Sequence, residues 1–209
     1  MQKPYLIIVA GCNGSGKSTF SKTHVNAVEP FDFDKRFMEI YDSMSDSELR
    51  HQIAKNTAIK EFESSINGAF SKGENFCYET NFDDSPLYWA EKAKKLGYRI
   101  ELIFYCLSSL DLAKKRVRFR TKNKGHYVAD NTIDYKWKEG YKNLNLHFQF
   151  FDFILLVDNS SKTQPAQDLF ALIKNDDNHN GYEAEFYSRR IPPYAKIRIP
   201  NIYKTLLNL

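Results

Sequence analysis

The sequence predicts an α/β protein with a doubly wound, mostly parallel sheet of five strands, helices on both faces and a helical lid. Two observations support this prediction. Five short apolar runs are separated by segments of helical length, and this order implies parallel strands joined by crossover helices. The first run, Tyr5–Ala10, leads directly into a glycine-rich turn and then into a helical segment, as in a phosphate-binding strand–loop–helix unit.

The individual elements follow from apolar periodicity and from the turn residues between the runs. Strands are predicted at Tyr5–Ala10, Asn75–Glu79, Arg99–Leu107 and Phe151–Val157, and Glu29–Asp34 is predicted to be a turn leading into a short strand that ends on Asp34. Helices are predicted from Lys17 to about Asn26, from Ser45 to about Lys72 in one or two pieces, from Asp84 as N-cap to Gly97, from Ser108 or Ser109 as N-cap to a break at Gly125-His126, from about Asn131 to His147, and after Ser160 to about Lys174.

The same pattern predicts the domain organisation. We expect residues 1–175 to form one domain, with the lid at about residues 108–147. The polar stretch Asn175–Gly181 reads as a linker, and the tail beyond it is rich in aromatic residues and proline. We expect residues 176–209 to be an extension that packs across the core.

Composition and charge limit the classes of protein. The 209 residues suit one domain with a sizeable core, and a formal net charge of +4 is too mild to imply a nucleic-acid partner. Cys12, Cys77 and Cys106 are odd in number and lack metal-ligand spacing, so we expect reduced thiols. The N-terminal apolar run is too short for a signal sequence or a membrane span. We therefore expect a cytoplasmic protein with no membrane partner.

Residues 11–18, GCNGSGKS, match the phosphate-loop pattern G-x-x-x-x-G-K-[ST] in full. Gly14 and Gly16 permit backbone dihedrals that a Cβ would penalise, so successive N–H groups can converge on one anion where a helix begins. Lys17 is expected to reach the β- and γ-phosphates, and the Ser18 hydroxyl to hold Mg²⁺ against them. The motif therefore predicts a nucleoside triphosphate site in the P-loop NTPase class, formed by Gly11, Asn13, Gly14, Ser15, Gly16, Lys17 and Ser18.

Acidic residues at strand ends are candidates for the acceptor side of a phosphoryl transfer, since ligands of open α/β sheets lie beyond the carboxyl ends of the strands. Asp34 is the candidate base and Asp32 competes with it; the alternative is that Asp34 is only a turn or N-cap residue. Glu79, Thr80 and Asn81 follow the third strand. They either bind acceptor hydroxyls, hold a metal-bound water, or form an ordinary turn.

The basic run Lys114–Lys124 reads, for most of its members, as a solvated helix face. Arg116 and Arg120 share one face of that helix ahead of the Gly125-His126 break, which could act as a hinge. They could therefore close over the nucleotide and supply cations to the transition state. A nucleic-acid backbone is the rival ligand, but the run lacks the regular interleaving of aromatic residues that single-strand binders use. His126 is either a pH-sensitive base or a helix-end residue.

The sequence resembles the zeta toxin-like P-loop kinases. The matching segments occur in family order through about Ser160: the phosphate loop with Thr19, Phe31–Asp34, Tyr78–Thr80, Leu96–Leu102, Arg116 and Arg120 before Gly125–Val128, and Asp158–Ser160. The resemblance implies an ATP-dependent kinase acting on a sugar hydroxyl, with UDP-N-acetylglucosamine the substrate of the best-known members. It assigns nucleotide binding to the phosphate loop with Thr19, the base to Asp34, substrate contacts to Glu79 and Thr80, and γ-phosphate and lid cations to Arg116 and Arg120.

Lys136 departs from the family pattern, which usually has an arginine before an aromatic residue at this place. A lysine keeps the positive charge but loses the bidentate fork. We expect Lys136 to fill that substrate-side role less well. The segment Met38–Lys72, where an acceptor pocket would lie, shows no motif, and the chain from Asn175 onward has no counterpart in the family.

Three functions stay open on the sequence alone. The first is a kinase that phosphorylates a small-molecule acceptor with Mg·ATP. The second is a nucleotide-dependent regulatory protein without an acceptor substrate, and the third is a nucleoside or polynucleotide kinase. The set Asp34, Glu79, Arg116 and Arg120 favours the first, because a switch needs no acceptor-side base. Whether the activity serves as a toxin with an antitoxin partner, or in sugar metabolism, also stays open.

Overall fold

A computed structural model of the chain describes residues 3–25, 28–122, 127–175, 177 and 181–209. Within these residues the chain forms six strands and eight α-helices. The strands are β1 (Tyr5–Ala10), β2 (Phe76–Thr80), β3 (Arg99–Cys106), β4 (Phe153–Asp158), β5 (Gln167–Lys174) and β6 (Tyr182–Phe186). The helices are α1 (Lys17–His24), α2 (Phe33–Ser43), α3 (Arg50–Lys72), α4 (Tyr88–Lys95), α5 (Leu110–Lys122), α6 (Asp130–His147), α7 (Pro193–Arg198) and α8 (Pro200–Leu207).

The described strands form one mixed sheet in the order β2-β1-β3-β4-β5-β6. The first four are parallel to one another, whereas β5 runs antiparallel to β4 and β6 runs antiparallel to β5. The predicted α/β class with a mostly parallel sheet is confirmed. The predicted number of five strands is wrong, because the described part of the sheet has six.

The prediction of a short strand within Glu29–Asp34 is also wrong. The strand is reduced to a single bridge between Phe31 and Tyr78 of β2. Asp32 is the N-cap of α2, so the backbone turns into the helix before a strand can extend. The bridge nevertheless brings the start of α2 to the outer side of β2, next to the carboxyl ends of the parallel strands.

The predicted helix between Ser160 and Lys174 is replaced by β5. The central residues of this strand, Leu169–Leu172, are buried. A short apolar run fits a buried strand or a buried helix equally well, and pairing with β4 on one side and β6 on the other decides in favour of the strand. The prediction failed because the buried run lacks the alternation of apolar and polar residues that would have distinguished a strand from a helix.

Helix boundaries differ from the prediction at two places. The helix predicted from Ser45 begins only at Arg50, and the preceding helix α2 was not predicted. Asp84 is not the N-cap of α4, because Leu87 occupies that position and the Asp84 carboxylate accepts a hydrogen bond from the Tyr135 hydroxyl at 2.7 Å. The Ser109 cap of α5 is confirmed by a 3.2 Å hydrogen bond from the Leu112 backbone N–H to its hydroxyl.

The predicted break at Gly125-His126 lies outside the described residues, and so do residues 176 and 178–180 of the predicted linker. Beyond that linker, β6 extends the sheet, and Ile202 and Leu206 of α8 enter the main core. The three cysteines are buried free thiols. Among the described helices, none combines the length and the apolar character that a membrane crossing requires.

The sheet is covered on both faces, as the alternation of its side chains requires. Leu6 and Ile8 of β1 belong to the larger core, which also contains residues of α3, α4, α5, α6 and α8. Val9 belongs to the smaller core on the other face, where Phe20 of α1 packs. The phosphate-loop helix and the predicted lid helices therefore lie on opposite faces of the sheet and meet at the carboxyl ends of its strands.

Gly140 allows α6 to lie against the loop after β2. A Cβ built on Gly140 would be 2.8 Å from the backbone carbonyl oxygen of Asn81, closer than two non-bonded atoms normally approach. On the same helix, Asn143 donates a 2.9 Å hydrogen bond to the carbonyl oxygen of Phe82. Close contact with α6 therefore fixes the loop that carries Asn81.

We expect Gly140→Ala to lower the free energy of unfolding by about 1–3 kcal/mol, because the added methyl group forces the helix and the loop apart. Gly68→Ala is the matched control, since a Cβ on Gly68 in α3 meets nothing within 4 Å beyond its own stretch of helix. Alanine favours a helix, so the control should gain up to about 1 kcal/mol. Chemical denaturation measures both changes; equal stability of the two variants would contradict the packing described for α6.

Candidate active site

The phosphate loop, residues 11–18, adopts the conformation that its glycines predict. Gly14 and Gly16 have φ values of +79° and +95°, which residues with a Cβ rarely adopt. The loop is also tightly packed: a Cβ on Gly14 would lie 2.7 Å from the carbonyl oxygen of Ala113, and one on Gly16 would lie 2.1 Å from the Asn159 amide nitrogen. Gly16 is the N-cap of α1, so the positive end of the helix dipole lies at the loop.

Asn159 supports this loop from the far side and was not among the predicted site residues. Its side-chain amide donates a 2.8 Å hydrogen bond to the backbone carbonyl of Ser15, and the residue is buried. Asn159 directly follows β4. Its position after a strand end was a signal in the sequence, but nothing in the sequence showed that its partner would be the phosphate loop.

Lys17 lies at the centre of the site. Its ammonium group donates to the Gly11 carbonyl oxygen at 2.6 Å and to the Asn81 side-chain oxygen at 3.4 Å. Burial lowers the pKa of Lys17, and the negative charges of Glu79, Asp34 and nearby groups oppose that shift. The lysine therefore links the phosphate loop to the loop that follows β2.

Glu79 lies at the end of β2, next to the start of α1. Its carboxylate accepts hydrogen bonds from the Ser18 hydroxyl at 2.6 Å and from the Ser21 hydroxyl at 3.1 Å. Burial raises the pKa of Glu79, with a smaller contribution from Asp32, while the hydrogen bond from Ser18 opposes the shift. The structure thus joins the residue predicted to contact substrate to the residue predicted to hold Mg²⁺.

The two competing aspartates have different positions. Asp32 caps α2, since its carboxylate accepts a hydrogen bond from the Lys35 backbone N–H at 3.0 Å. Asp34 lies in the first turn of the same helix, is half-buried and lines the same cavity as Lys17. The capping role that the sequence left open for Asp34 therefore belongs to Asp32.

Thr80 supports the turn that follows β2. Its hydroxyl accepts a 3.0 Å hydrogen bond from the backbone N–H of Phe82, a buried residue with a φ of +62°. This turn directs the Asn81 side chain towards Lys17. Thr80 and Asn81 both line the cavity.

The predicted lid cations lie on the opposite side of the phosphate loop. Arg116 donates a 3.1 Å hydrogen bond through Nη2 to the carbonyl oxygen of Ser161, and its Nη1 is buried without a hydrogen-bond partner among the described residues. Burial lowers the pKa of Arg116, and the charge of Asp158 opposes that shift. Arg120, on the same helix, and Lys136, on α6, line the same cavity.

Other members of the basic run have structural partners. Lys114 pairs with Asp134 at 2.5 Å, and Arg118 pairs with Asp130 at 2.6 Å. These ion pairs join α5 to α6 at the surface. The interpretation as a solvated helix face fits Arg118, which is exposed, but not Lys114, which lies largely covered against α6.

A cavity of about 1560 Å³ contains the sites described so far. Its nucleotide side is formed by the phosphate loop, α5 and the segment after β4. Its acceptor side lies beyond β2 and combines the carboxylates of Asp32 and Asp34 with an aromatic cluster, in which the Phe62 ring lies 5.2 Å from Phe31 and 5.6 Å from Trp89. Phe62 and Trp89 were not predicted as site residues, because they carry no motif.

Fold and site together define a P-loop protein of the kinase-like phosphotransferase class. A family model described as Zeta toxin matches residues 1–164, and the chain belongs to that family. The resemblance on which the sequence analysis relied is thereby confirmed. Residues 165–209, from the connection before β5 to the end of the chain, lie outside the matched region.

The chain is also similar to a known protein and, in fold, to solved structures. An uncharacterized protein of Haemophilus influenzae is 26% identical over 133 residues, which are 63% of this chain and 91% of that protein. The PezAT chromosomal toxin-antitoxin system of Streptococcus pneumoniae contains a similar fold, with a TM-score of 0.57 and 18% identity over 100% of this chain and 88% of that chain. The AvrRxo1-ORF1:-ORF2 complex with ATP has a TM-score of 0.62 and 10% identity over 97% of this chain and 63% of that chain.

We expect Glu79→Gln to raise the free energy of unfolding at about pH 7. The folded protein binds the Glu79 proton more tightly than the unfolded chain, so wild-type stability falls as the pH rises through the raised pKa, and the amide avoids that loss. The difference should shrink as the pH falls below about 4, where the carboxyl group is protonated in both states. Thermal unfolding at the two pH values tests this, with Glu63→Gln as an exposed control on α3; lower stability of Glu79→Gln at neutral pH would contradict it.

Proposed function

We propose that the protein is an ATP-dependent kinase that transfers the γ-phosphate to a hydroxyl group of a small molecule. One observation carries the proposal: Lys17, Asp34 and Arg116 line a single cavity, with the phosphate loop between the carboxylate and the guanidinium group. A phosphoryl transfer needs these three components: a phosphate cradle, an acceptor-side base and a cation for the developing charge. ATP as the donor is supported by membership of the zeta toxin family and by the similar fold of a complex that contains ATP.

The residues near the phosphate loop suit Mg²⁺. No group of three or more His, Cys, Asp or Glu side chains among the described residues is arranged to hold a metal ion. Mg²⁺ in kinases is instead bound by one or two protein oxygens together with the phosphates. The Ser18 hydroxyl and the Glu79 carboxylate provide such oxygens. When bound, the ion would neutralise charge on the β- and γ-phosphates.

On the acceptor side, Asp34 is the proposed base. The acceptor O–H gives its proton to the Asp34 carboxylate while the oxygen forms a bond to the γ-phosphorus, and the bond to the β,γ-bridging oxygen breaks to release ADP. Asp34 is free of the capping role that occupies Asp32, and this freedom supports the assignment. A nucleotide-dependent switch would not require such a group.

The shape of the acceptor side supports a sugar-like acceptor, such as the nucleotide sugar UDP-N-acetylglucosamine that the family resemblance implies. The aromatic rings of Phe31, Phe62 and Trp89 offer apolar surface for the face of a sugar ring or base, and carboxylates and hydroxyls accept and donate hydrogen bonds to sugar hydroxyls. We propose that Thr80 and Lys136 contact the acceptor from the loop after β2 and from α6. We propose that Glu79 faces the Mg²⁺ ion, next to the acceptor.

We further propose that Arg116 and Arg120 are lid cations that neutralise the transferred phosphoryl group, within a lid at about residues 108–147 of a kinase domain spanning residues 1–175. The buried Nη1 of Arg116, which lacks a partner among the described residues, supports an anionic partner for this group. The similarity to PezAT, a toxin-antitoxin system, supports an antitoxin as a protein partner.

The sharpest test of the proposed base compares Asp34→Asn with Asp32→Asn. Asn is as good an N-cap as Asp, so Asp32→Asn keeps the start of α2 and serves as the matched control. Asp34→Asn should retain Mg·ATP binding and lose transfer by on the order of 10²-fold or more, because the amide lacks basicity. Transfer rates and ATP affinity are measured for both variants. A large loss in Asp32→Asn with little change in Asp34→Asn would move the base to Asp32.

Arg116→Ala and Arg120→Ala should each lower kcat by on the order of 10²-fold while weakening ATP binding less, because these cations meet most charge in the transition state. Arg118→Ala, on the same helix but paired with Asp130, is the control and should keep most activity. Lys136→Arg should hold or raise the rate, because it restores the planar fork. Steady-state kinetics test these expectations. Full activity in both alanine variants would contradict the lid role and show that Arg116 and Arg120 are ordinary helix-face residues.

A further inference from the structure

The C-terminal tail lies outside the region matched by the family model. It reaches the base of the proposed lid, which is the segment Leu107–Ser108 before α5. Arg198 is the last residue of α7, and its guanidinium group donates a 2.7 Å hydrogen bond to the carbonyl oxygen of Leu107 and a 3.0 Å hydrogen bond to that of Ser108. These two residues connect the end of β3 to α5. One side chain of the tail therefore holds both backbone carbonyls at the point where the lid helix leaves the sheet.

The guanidinium group is fixed in place by aromatic rings. It lies 4.6 Å from the ring centroid of Trp137, 5.2 Å from that of Tyr194 and 5.3 Å from that of Tyr141. Trp137 and Tyr141 of α6 are buried, so the cation is bound among rings that are themselves held by the core. Such stacking favours arginine, whose planar group can contact ring faces while its N–H groups donate along the edge.

Tyr141 strengthens the same connection. Its hydroxyl accepts a 3.1 Å hydrogen bond from the Leu107 backbone N–H and lies 3.3 Å from the Leu107 carbonyl oxygen. Both backbone polar groups of Leu107 are thus bound by side chains instead of by a further strand. The start of the lid is therefore defined by α6 and α7 together, and not by the sheet alone.

The other end of α7 contacts the second segment beside the phosphate loop. Tyr194 precedes Arg198 by one helical turn, and its hydroxyl accepts a 3.3 Å hydrogen bond from Ser160. The neighbours of Ser160 complete the nucleotide side: Asn159 holds the phosphate loop, and the carbonyl oxygen of Ser161 accepts the hydrogen bond from Arg116. Tyr194 and Arg198 therefore connect the start of α5 to the segment that accepts the hydrogen bond from Arg116.

We propose that Arg198 is a positioning residue for phosphoryl transfer, which sets the orientation of α5 and thereby the location of Arg116. The kinetic consequence rests on the kinase function proposed above, whereas the structural consequence does not. Arginine is required because a single lysine ammonium cannot both contact the rings with a planar face and donate in a fork to two carbonyls. The tail is then part of the machinery of the enzyme, although it lies outside the matched family region.

The first experiment measures amide hydrogen exchange in the full-length protein without any turnover. Arg198→Gln should raise exchange in α5 by about tenfold or more, while amides of β1 stay as in the wild type, because only the base of the lid loses its support. Arg190→Gln is the matched control, since Arg190 is an exposed arginine of the same tail. If Arg198→Gln fails to fold, Arg198→Lys takes its place. Unchanged exchange in α5 of a folded Arg198 variant would overturn the proposal.

The second experiment separates positioning from general destabilisation by kinetics. Arg198→Gln should lower kcat by on the order of 10-fold or more with a smaller change in the KM for ATP, and the double variant Arg116→Ala/Arg198→Gln should be no slower than Arg116→Ala alone. Fully additive losses would overturn the role assigned to Arg198. If the wild type transfers no phosphate while exchange in α5 still responds to Arg198, the kinase assignment fails and the positioning of α5 by Arg198 stands.

Discussion

The backbone of the phosphate loop is the constraint on which the rest of the structure depends. It turns through two glycines with positive φ, and there is no room for a Cβ at either of them because α5 lies against one and Asn159 against the other. The loop can keep this backbone conformation only if β1, α1, α5 and the end of β4 hold their relative positions. The four parallel strands supply that frame, and the aligned carboxyl ends of these strands bring the remaining site residues to one edge.

Around this loop, ionisable side chains are buried, and burial disfavours their charged forms. Burial lowers the pKa of Lys17 and raises that of Glu79, so each group is pushed towards its neutral form and is held charged by the other and by hydrogen bonds. Such an arrangement reduces stability, and it suits the proposed function, in which ATP and Mg²⁺ would bring further charge into the cavity. The apolar cores on both faces of the sheet offset this loss of stability.

Sequence reasoning was reliable where short-range chemistry determines structure. The phosphate loop, β1 and α1 are encoded by adjacent residues, and the Ser109 cap and the arginine face of α5 follow from helical spacing. It failed where one stretch suits two structures. Phe31 forms only a bridge because Asp32 starts a helix, and Gln167–Lys174 is a strand because it pairs with β4 and β6. Asn159 and Phe62 could not be recognised as site residues, since their roles exist only once the sheet has brought their partners close.

The central claim is that the cavity transfers the γ-phosphate of ATP to a small molecule. The most direct measurement incubates the protein with γ-labelled ATP and a pool of small metabolites, and separates the labelled products, with Lys17→Ala as the inactive control. The account predicts a labelled small molecule that appears with the wild type and is absent with Lys17→Ala. Binding of ATP by the wild type without any labelled acceptor, across metabolite pools that include nucleotide sugars, would contradict it and favour a nucleotide-dependent regulatory protein.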